Sequence, residues 1–142
     1  MFHLIYASRE KQEFTAADLK RLLVSSRILN HQVDVTGILV YQAGMFLQAL
    51  EGEEEAVETT FARIEKDVRH GDVQVLHRNS TIDKRRMFGE WSMGFSDANG
   101  TAQVLKGFVG LNRGLSLSNL DKTHAVNILN AFSKLRPSQM SA

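Results

Sequence analysis

Short β-type runs alternate along the chain with stripes at helical spacing. In residues 2–8, Phe2, Leu4 and Tyr6 share one side by period-two alternation, so the chain opens on a strand. Thr15 followed by Asp18 approximates a capping box and starts a helix. Leu19, Leu22, Leu23, Ser26 and Asn30 continue at helical spacing, so an apolar stripe ends in two polar side chains. Two strand-like runs follow at 36–41 and 46–50, joined by a short hairpin connection containing Gly44. The acidic run 51–55 starts a second helix, where carboxylates complement the helix dipole. Val57, Phe61, Ile64 and Val68 mark its buried stripe, Arg63 and Asp67 lie one turn apart beside it, and Gly71 ends it. Residues 73–77 read as a fourth strand, 85–88 as a connection and 90–95 as a fifth strand. On a regular fifth strand Trp91, Met93 and Phe95 share a face.

The order β-α-β-β-α-β-β, with short hairpins and right-handed crossovers, predicts a ferredoxin-like α+β sandwich. Its first and third strands are central neighbours, and both helices cover one sheet face. This unit takes up residues 1–96. Residues 97–142 form a C-terminal extension too short to be a domain. A glycine-rich stretch at 98–118 precedes a helix at 120–135 with a stripe of Ala125, Ile128, Leu129, Phe132 and Leu135. Ser118 or Asp121 caps that helix and Pro137 follows it. The extension is expected to pack on the sheet or at a subunit interface, in a homo-oligomer of two or more copies.

Composition narrows the function by exclusion. The chain has 142 residues, one domain's worth, with 43% hydrophobic and 23% charged residues. No apolar run approaches the ~18 residues that would suggest a membrane span, and no secretory leader is recognisable. With no cysteine, disulfides, cysteine nucleophiles, Cys-ligated zinc and cysteinyl cofactor adducts are excluded. The same absence fits a cytoplasmic protein. A net charge of +1 lacks the basic footprint of a nucleic-acid binder. The stretch 106–110 echoes an RNA-recognition strand, but it falls in the glycine-rich extension. His3, His31, His70, His77 and His124 show no metal-ligand spacing, so no metal site is expected. Gly107, Gly110 and Gly114 do not sit between a strand and a helix as a phosphate cradle requires.

The candidate chemistry lies in polar residues on buried faces. Gln48 sits inside an apolar strand, Tyr6 lies mid-strand in a central position, and Asn30 ends the inward stripe of the first helix. A buried amide left unsatisfied costs roughly 1–3 kcal/mol, so each needs partners. One account is a structural network. The other is a ligand pocket, because neighbouring central strands bring Tyr6 and Gln48 together beneath the helices.

These residues carry a resemblance. Residues 4–8 with Tyr6, 26–30 with Ser26 and Asn30, 36–41 with Gly37, and 46–52 with Gln48 resemble the BLUF family of blue-light sensors that use FAD. Asp67, Arg69 and His70, then Arg86, Phe88, Trp91, Met93 and Phe95, match the later motifs of that family. The resemblance spans about residues 2–96. It implies non-covalent FAD, with FMN or riboflavin as substitutes, its ring between the two helices. Tyr6 then bonds Gln48, Gln48 contacts flavin N5 and the C4 carbonyl, and Asn30 meets the C4=O/N3 edge. Leu23 and Ile64 sandwich the ring, Ser26 adds a polar contact, and Arg63 and Asp67 serve its polar side. For Arg63 and Asp67 the alternative is a surface ion pair worth ~0.3–0.5 kcal/mol.

The resemblance also implies a mechanism without turnover, so no enzyme. An electron and a proton leave Tyr6 by way of Gln48 and return, and Gln48 is left rotated or tautomerised with a stronger bond to C4=O. The absorption then shifts to the red. Trp91 or Met93 relays the change, the alternative for each being core packing. A separate downstream effector receives the signal. Rival readings are a flavin-dependent module and a colourless ferredoxin-like interaction module without a photocycle.

Overall fold

Among the described residues seven elements follow in the expected order: β1 (Phe2–Glu10), α1 (Ala16–Gln32), β2 (Thr36–Gln42), β3 (Met45–Gly52), α2 (Glu54–Glu65), β4 (His70–Ser80) and β5 (Gly94–Asp97). The structure, a computed structural model, describes residues 1–42, 44–82, 85–87, 94–97 and 123. Trp91, Met93 and, apart from Thr123, the extension helix expected at 120–135 lie outside the described residues.

The strands form one sheet in the order β4-β1-β3-β2-β5. The first four pair antiparallel, and β5 joins β2 in parallel. This is the ferredoxin-like α+β sandwich, with β1 and β3 at its centre. The register places Tyr6, Gln48 and Leu39 in one cross-strand row, and Ser8, Phe46 and Tyr41 in the next on the same face. Leu19 and Leu23 of α1 and Val57 and Phe61 of α2 join Leu4, Tyr6, Leu39 and Leu50 in a single core, so both helices pack on that face. Burying each of the large apolar side chains contributes about 1.5–3 kcal/mol before entropy is counted. The opposite face is also buried, through Ile5, Ile38, Val40, Leu47 and Ala49.

Local chemistry sets the boundaries. Thr15 closes a complete capping box: Asp18 N–H donates to Thr15 Oγ1 at 3.1 Å, and Thr15 N–H donates to Asp18 Oδ2 at 2.9 Å. The connection after β2 needs a left-handed residue, which Gly44 supplies with φ +79°.

Several boundaries differ from those expected from the sequence, and β4, expected at 73–77, spans His70–Ser80. The acidic run does not start α2 at Glu51, because Glu51 and Gly52 extend β3. Glu51 is 1% exposed, and its carboxylate accepts from Thr36 Oγ1 at 2.9 Å and from the Met87 amide at 2.8 Å, with His3 Nε2 at 3.1 Å. These partners satisfy a charge that would otherwise be costly to bury. Glu54 and Glu55 alone occupy the first turn of α2. The helix ends at Glu65 rather than at Gly71, which lies in β4. Val68 therefore leaves the buried stripe and is 80% exposed. The stop is local: Asp67 Oδ1 accepts from the Arg69 amide at 3.0 Å, a turn that competes with helix continuation. The fifth strand, expected at 90–95, is present over Gly94–Asp97 and so runs past its expected end, while residues 90–93 lie outside the described residues.

Candidate functional site

Between α1 and α2, above the centre of the sheet, lies a cleft of about 450 Å³ that includes space open to solvent. Its apolar walls are Phe14, Leu22, Leu39, Phe46 and Ile64; Tyr6, Ser26, Gln48, Asp67, Arg69 and His70 supply polar groups. That mixture of groups suits a cofactor or small molecule with flat apolar faces and a polar edge.

Tyr6 and Gln48 are paired in register on the two central strands, and the Tyr6 hydroxyl donates a hydrogen bond to Gln48 Oε1. They are 3% and 4% exposed, so both polar ends are withdrawn from bulk water. Burial pushes the Tyr6 phenol well above its ordinary value, and the charge of Asp67 adds to the shift. Tyr6 is therefore held as a neutral phenol that donates to an amide. The Tyr6 ring lies 5.2 Å from that of Phe61, which fixes its other side.

The rim opposite carries charge. Asp67 accepts from Arg69 Nε at 2.9 and 3.1 Å and from Nη2 at 2.5 Å. These bonds, chiefly, hold the Asp67 carboxyl below the usual carboxylate range and raise the Arg69 guanidinium. The Arg69 guanidinium also lies 5.7 Å from the centre of the Phe14 ring. His70 Nε2 lies 2.7 Å from the Ile64 carbonyl, which can only accept, so this nitrogen carries a proton. Ser8 Oγ sits 2.7 Å from Nδ1. His70 thereby ties the end of α2 to β1 beneath the cleft.

Comparison with known proteins decides the family. Residues 1–94 match the BLUF family, described as sensors of blue-light using FAD. The chain belongs to the BLUF family. It is 31% identical over 113 residues to photoactivated adenylate cyclase subunit beta of Euglena longa, an alignment covering 80% of this chain and 13% of that protein. The chain thus spans only a small part of the length of these cyclase relatives. Among solved structures, BlsA in its ground state superposes with a TM-score of 0.77 at 28% identity, covering 99% of this chain and 93% of BlsA. The BLUF protein BlrB in its dark state gives a TM-score of 0.65 at 30% identity over 69% of this chain and 73% of that one.

FAD is the cofactor of this family, and the cleft fits it: apolar side chains on facing helices suit a flat ring, and Tyr6 and Gln48 suit a heteroatom-bearing edge. Of the residues expected from sequence, Tyr6, Ser26, Gln48, Ile64 and Asp67 do line the cleft. Leu23 does not. It is 1% exposed within the core, and Leu22, one residue away around the helix, takes the wall position. Asn30 is buried at the C-terminal end of α1, where its carbonyl accepts from the amides of Val33 and Val35 at 3.2 and 2.9 Å; it is outside the cleft lining. Arg63 is exposed on α2 and also outside the lining. The expected pairing of Asp67 one turn from Arg63 gives way to its pairing with Arg69, because Asp67 lies past the end of the helix.

The sequence alone assigns no site role to Phe14, Leu22, Leu39, Phe46, Arg69 or His70, all of which line the cleft. Arg69 and His70 stand in a motif that matches the family, which was the available signal. Phe14 lies in a stretch without periodicity and is drawn in when its amide donates to Glu10 Oε2 at 3.0 Å. Among the described residues, no group of acidic, histidine or cysteine side chains could hold a metal ion, and no helix is long and apolar enough to cross a membrane.

Proposed function

We propose that this chain works as a reversible hydrogen-bond switch, in which Tyr6 and Gln48 convert blue light absorbed by bound FAD into a change at the sheet. The Tyr6–Gln48 hydrogen bond in the cleft floor is the observation that carries this reading. Residues 1–96 form the sensing unit, and residues 97–142 are an extension of it.

Tyr6, Ser26, Gln48, Ile64 and Asp67 hold the cofactor together with Leu22 and Arg69, and Asn30 and Arg63 complete its contacts beyond the cleft lining. When bound, FAD supplies blue-light absorption and, once excited, a strong one-electron oxidant. Tyr6 is the donor closest to hand. Its raised phenol makes loss of the proton alone unfavourable, so the proton leaves only with the electron. Gln48 Oε1 already accepts that hydroxyl and is the first stop for the proton. An amide carries an acceptor and two donors on one planar group, so Gln48 can present either function to the same place after turning over. Glutamate at neutral pH could only accept. Return of the electron and proton restores Tyr6, and the rearranged Gln48 keeps the signal. Trp91 or Met93 passes it onward to a protein effector reached by contact. BLUF relatives named as cyclases and as an antirepressor support effectors of several kinds.

The test uses the protein purified in darkness. FAD is expected on extraction, with an absorption spectrum that moves slightly to the red after blue light and recovers in the dark. A protein that cannot be loaded with FAD, or a loaded one whose spectrum does not respond, overturns the proposal.

A further inference from the structure

The chain has two tyrosines, and the mechanism above uses one. Tyr41 lies on the same sheet face as Tyr6, one cross-strand row along, in register with Phe46. It is 6% exposed. Its hydroxyl donates to Glu10 Oε2 at 2.8 Å, the carboxylate oxygen that also accepts the Phe14 amide. Its ring centre lies 5.0 Å from Phe46 and 6.4 Å from Phe14, and both of those rings line the cleft. Tyr41 therefore stands one aromatic layer behind the cleft wall, with a base already on its proton.

The two tyrosines differ in what receives the proton. Oxidation turns a phenol O–H from a weak acid into a strong one, so a phenol gives up its electron far more readily where a base can take the proton. Tyr6 faces a neutral amide, whereas Tyr41 faces a carboxylate at hydrogen-bond distance.

We propose that Tyr41 and Glu10 form a second redox site, an auxiliary electron donor to the flavin cleft. The oxidant is the photoexcited flavin, so this inference rests on the proposed function. One electron passes from Tyr41 past the Phe46 or Phe14 ring to that oxidant, which is reduced by one electron. The Tyr41 O–H bond breaks and its proton forms an O–H bond on Glu10 Oε2. The product at Tyr41 is a neutral tyrosyl radical, and reversal of both transfers restores the resting pair. Tyr6 lines the cleft and reacts first. Tyr41 supplies the electron when Tyr6 cannot.

The test is Tyr6→Phe loaded with FAD, frozen under blue light and read by electron paramagnetic resonance. Because only Tyr41 remains, any tyrosyl radical reports on it alone. A tyrosyl signal is expected, narrowed when the protein is grown with ring-deuterated tyrosine. Adding Glu10→Gln, which keeps an acceptor for the Phe14 amide, lowers its yield at least tenfold. Absence of a tyrosyl signal in Tyr6→Phe, an indole radical in its place, or an undiminished yield with Glu10→Gln each overturns the assignment. The wild-type spectrum separates the two readings. A wild type that shifts to the red, beside a Tyr6→Phe variant without a tyrosyl radical, rejects the Tyr41 site alone. A loaded wild type that does not shift rejects the proposed function.

Discussion

Tyr6 donates its hydroxyl hydrogen bond to the side-chain oxygen of Gln48, its register partner across the two central strands. The pair sits 3% and 4% exposed at the floor of a cleft whose walls come from both helices. The sheet fixes the separation of the two backbones, so the proposed switch rests on its paired central strands.

Removing the donor should leave the cofactor in place. Tyr6→Phe keeps the ring against Phe61 and loses only the hydroxyl. It is expected to bind FAD and to show no red shift after illumination. A normal light-dark difference spectrum in this variant would remove Tyr6 from the mechanism.

Removing the amide separates binding from switching in another way. Gln48→Ala is expected to bind FAD, held by the other cleft residues, and to form no red-shifted state. Absorption spectra before and after blue light check this, and survival of the shift contradicts the amide-switch account.

Gly37 predicts a large folding defect. A Cβ at this position would lie 2.0 Å from the Ala49 carbonyl oxygen on β3, an impossible contact with backbone. Gly37→Ala must therefore push β2 away from β3, next to the row that holds Gln48. A loss of roughly 2–4 kcal/mol is expected in urea unfolding, in the range of severe overpacking. A variant within about 0.5 kcal/mol of wild type would contradict the close approach.

The Asp67–Arg69 pair predicts a pH-dependent stability difference. Hydrogen bonds from Arg69 lower the folded-state value of Asp67 below the ~3.9 of an unfolded aspartate. The stability from this pair is fully present above the unfolded value and is lost as pH falls through the lower folded one. Both side chains are partly exposed, so screening keeps the effect small. Asp67→Asn is expected to melt a few degrees below wild type at pH 7, with the gap closing as the solution is taken well below pH 4. A gap that widens in acid would reverse the assignment.

The capping box supports the α1 wall of the cleft. Thr15→Ala removes the acceptor for Asp18 N–H and is expected to cost about 1 kcal/mol. In a chain of this size that lowers Tm by about 4 °C in a thermal melt. An unchanged Tm would show that packing of Leu19 and Leu23 alone sets the start of the helix.

Much of this was legible in the sequence where a local pattern coincides with a local cause. Period-two alternation in β1 and the Thr15–Asp18 box named their elements, and the resulting topology placed Tyr6 beside Gln48. The errors arose where a distant partner, a competing local turn or the rotation of a helix overrides the pattern along the chain. The acidic run resembles a helix start, but Thr36, His3 and the Met87 amide hold Glu51 in the sheet, and all three are distant in sequence. Val68 keeps the spacing of the α2 stripe, yet the side-chain turn at Asp67 has already ended the helix. Leu22 and Leu23 are both apolar and adjacent, and only the rotation of α1 against the sheet decides which faces the cleft. The pairing of Tyr41 with Glu10 joins residues 31 positions apart and follows no motif.

The central claim is that light changes the hydrogen bond that Gln48 gives the flavin. The most direct measurement is the light-minus-dark infrared difference spectrum of the FAD-loaded protein, read at the flavin C4=O stretch. A stretch that moves to lower frequency after blue light, returns in darkness, and stays still in Gln48→Ala is the predicted result. A wild-type C4=O band that does not move while the visible absorption shifts would contradict the account.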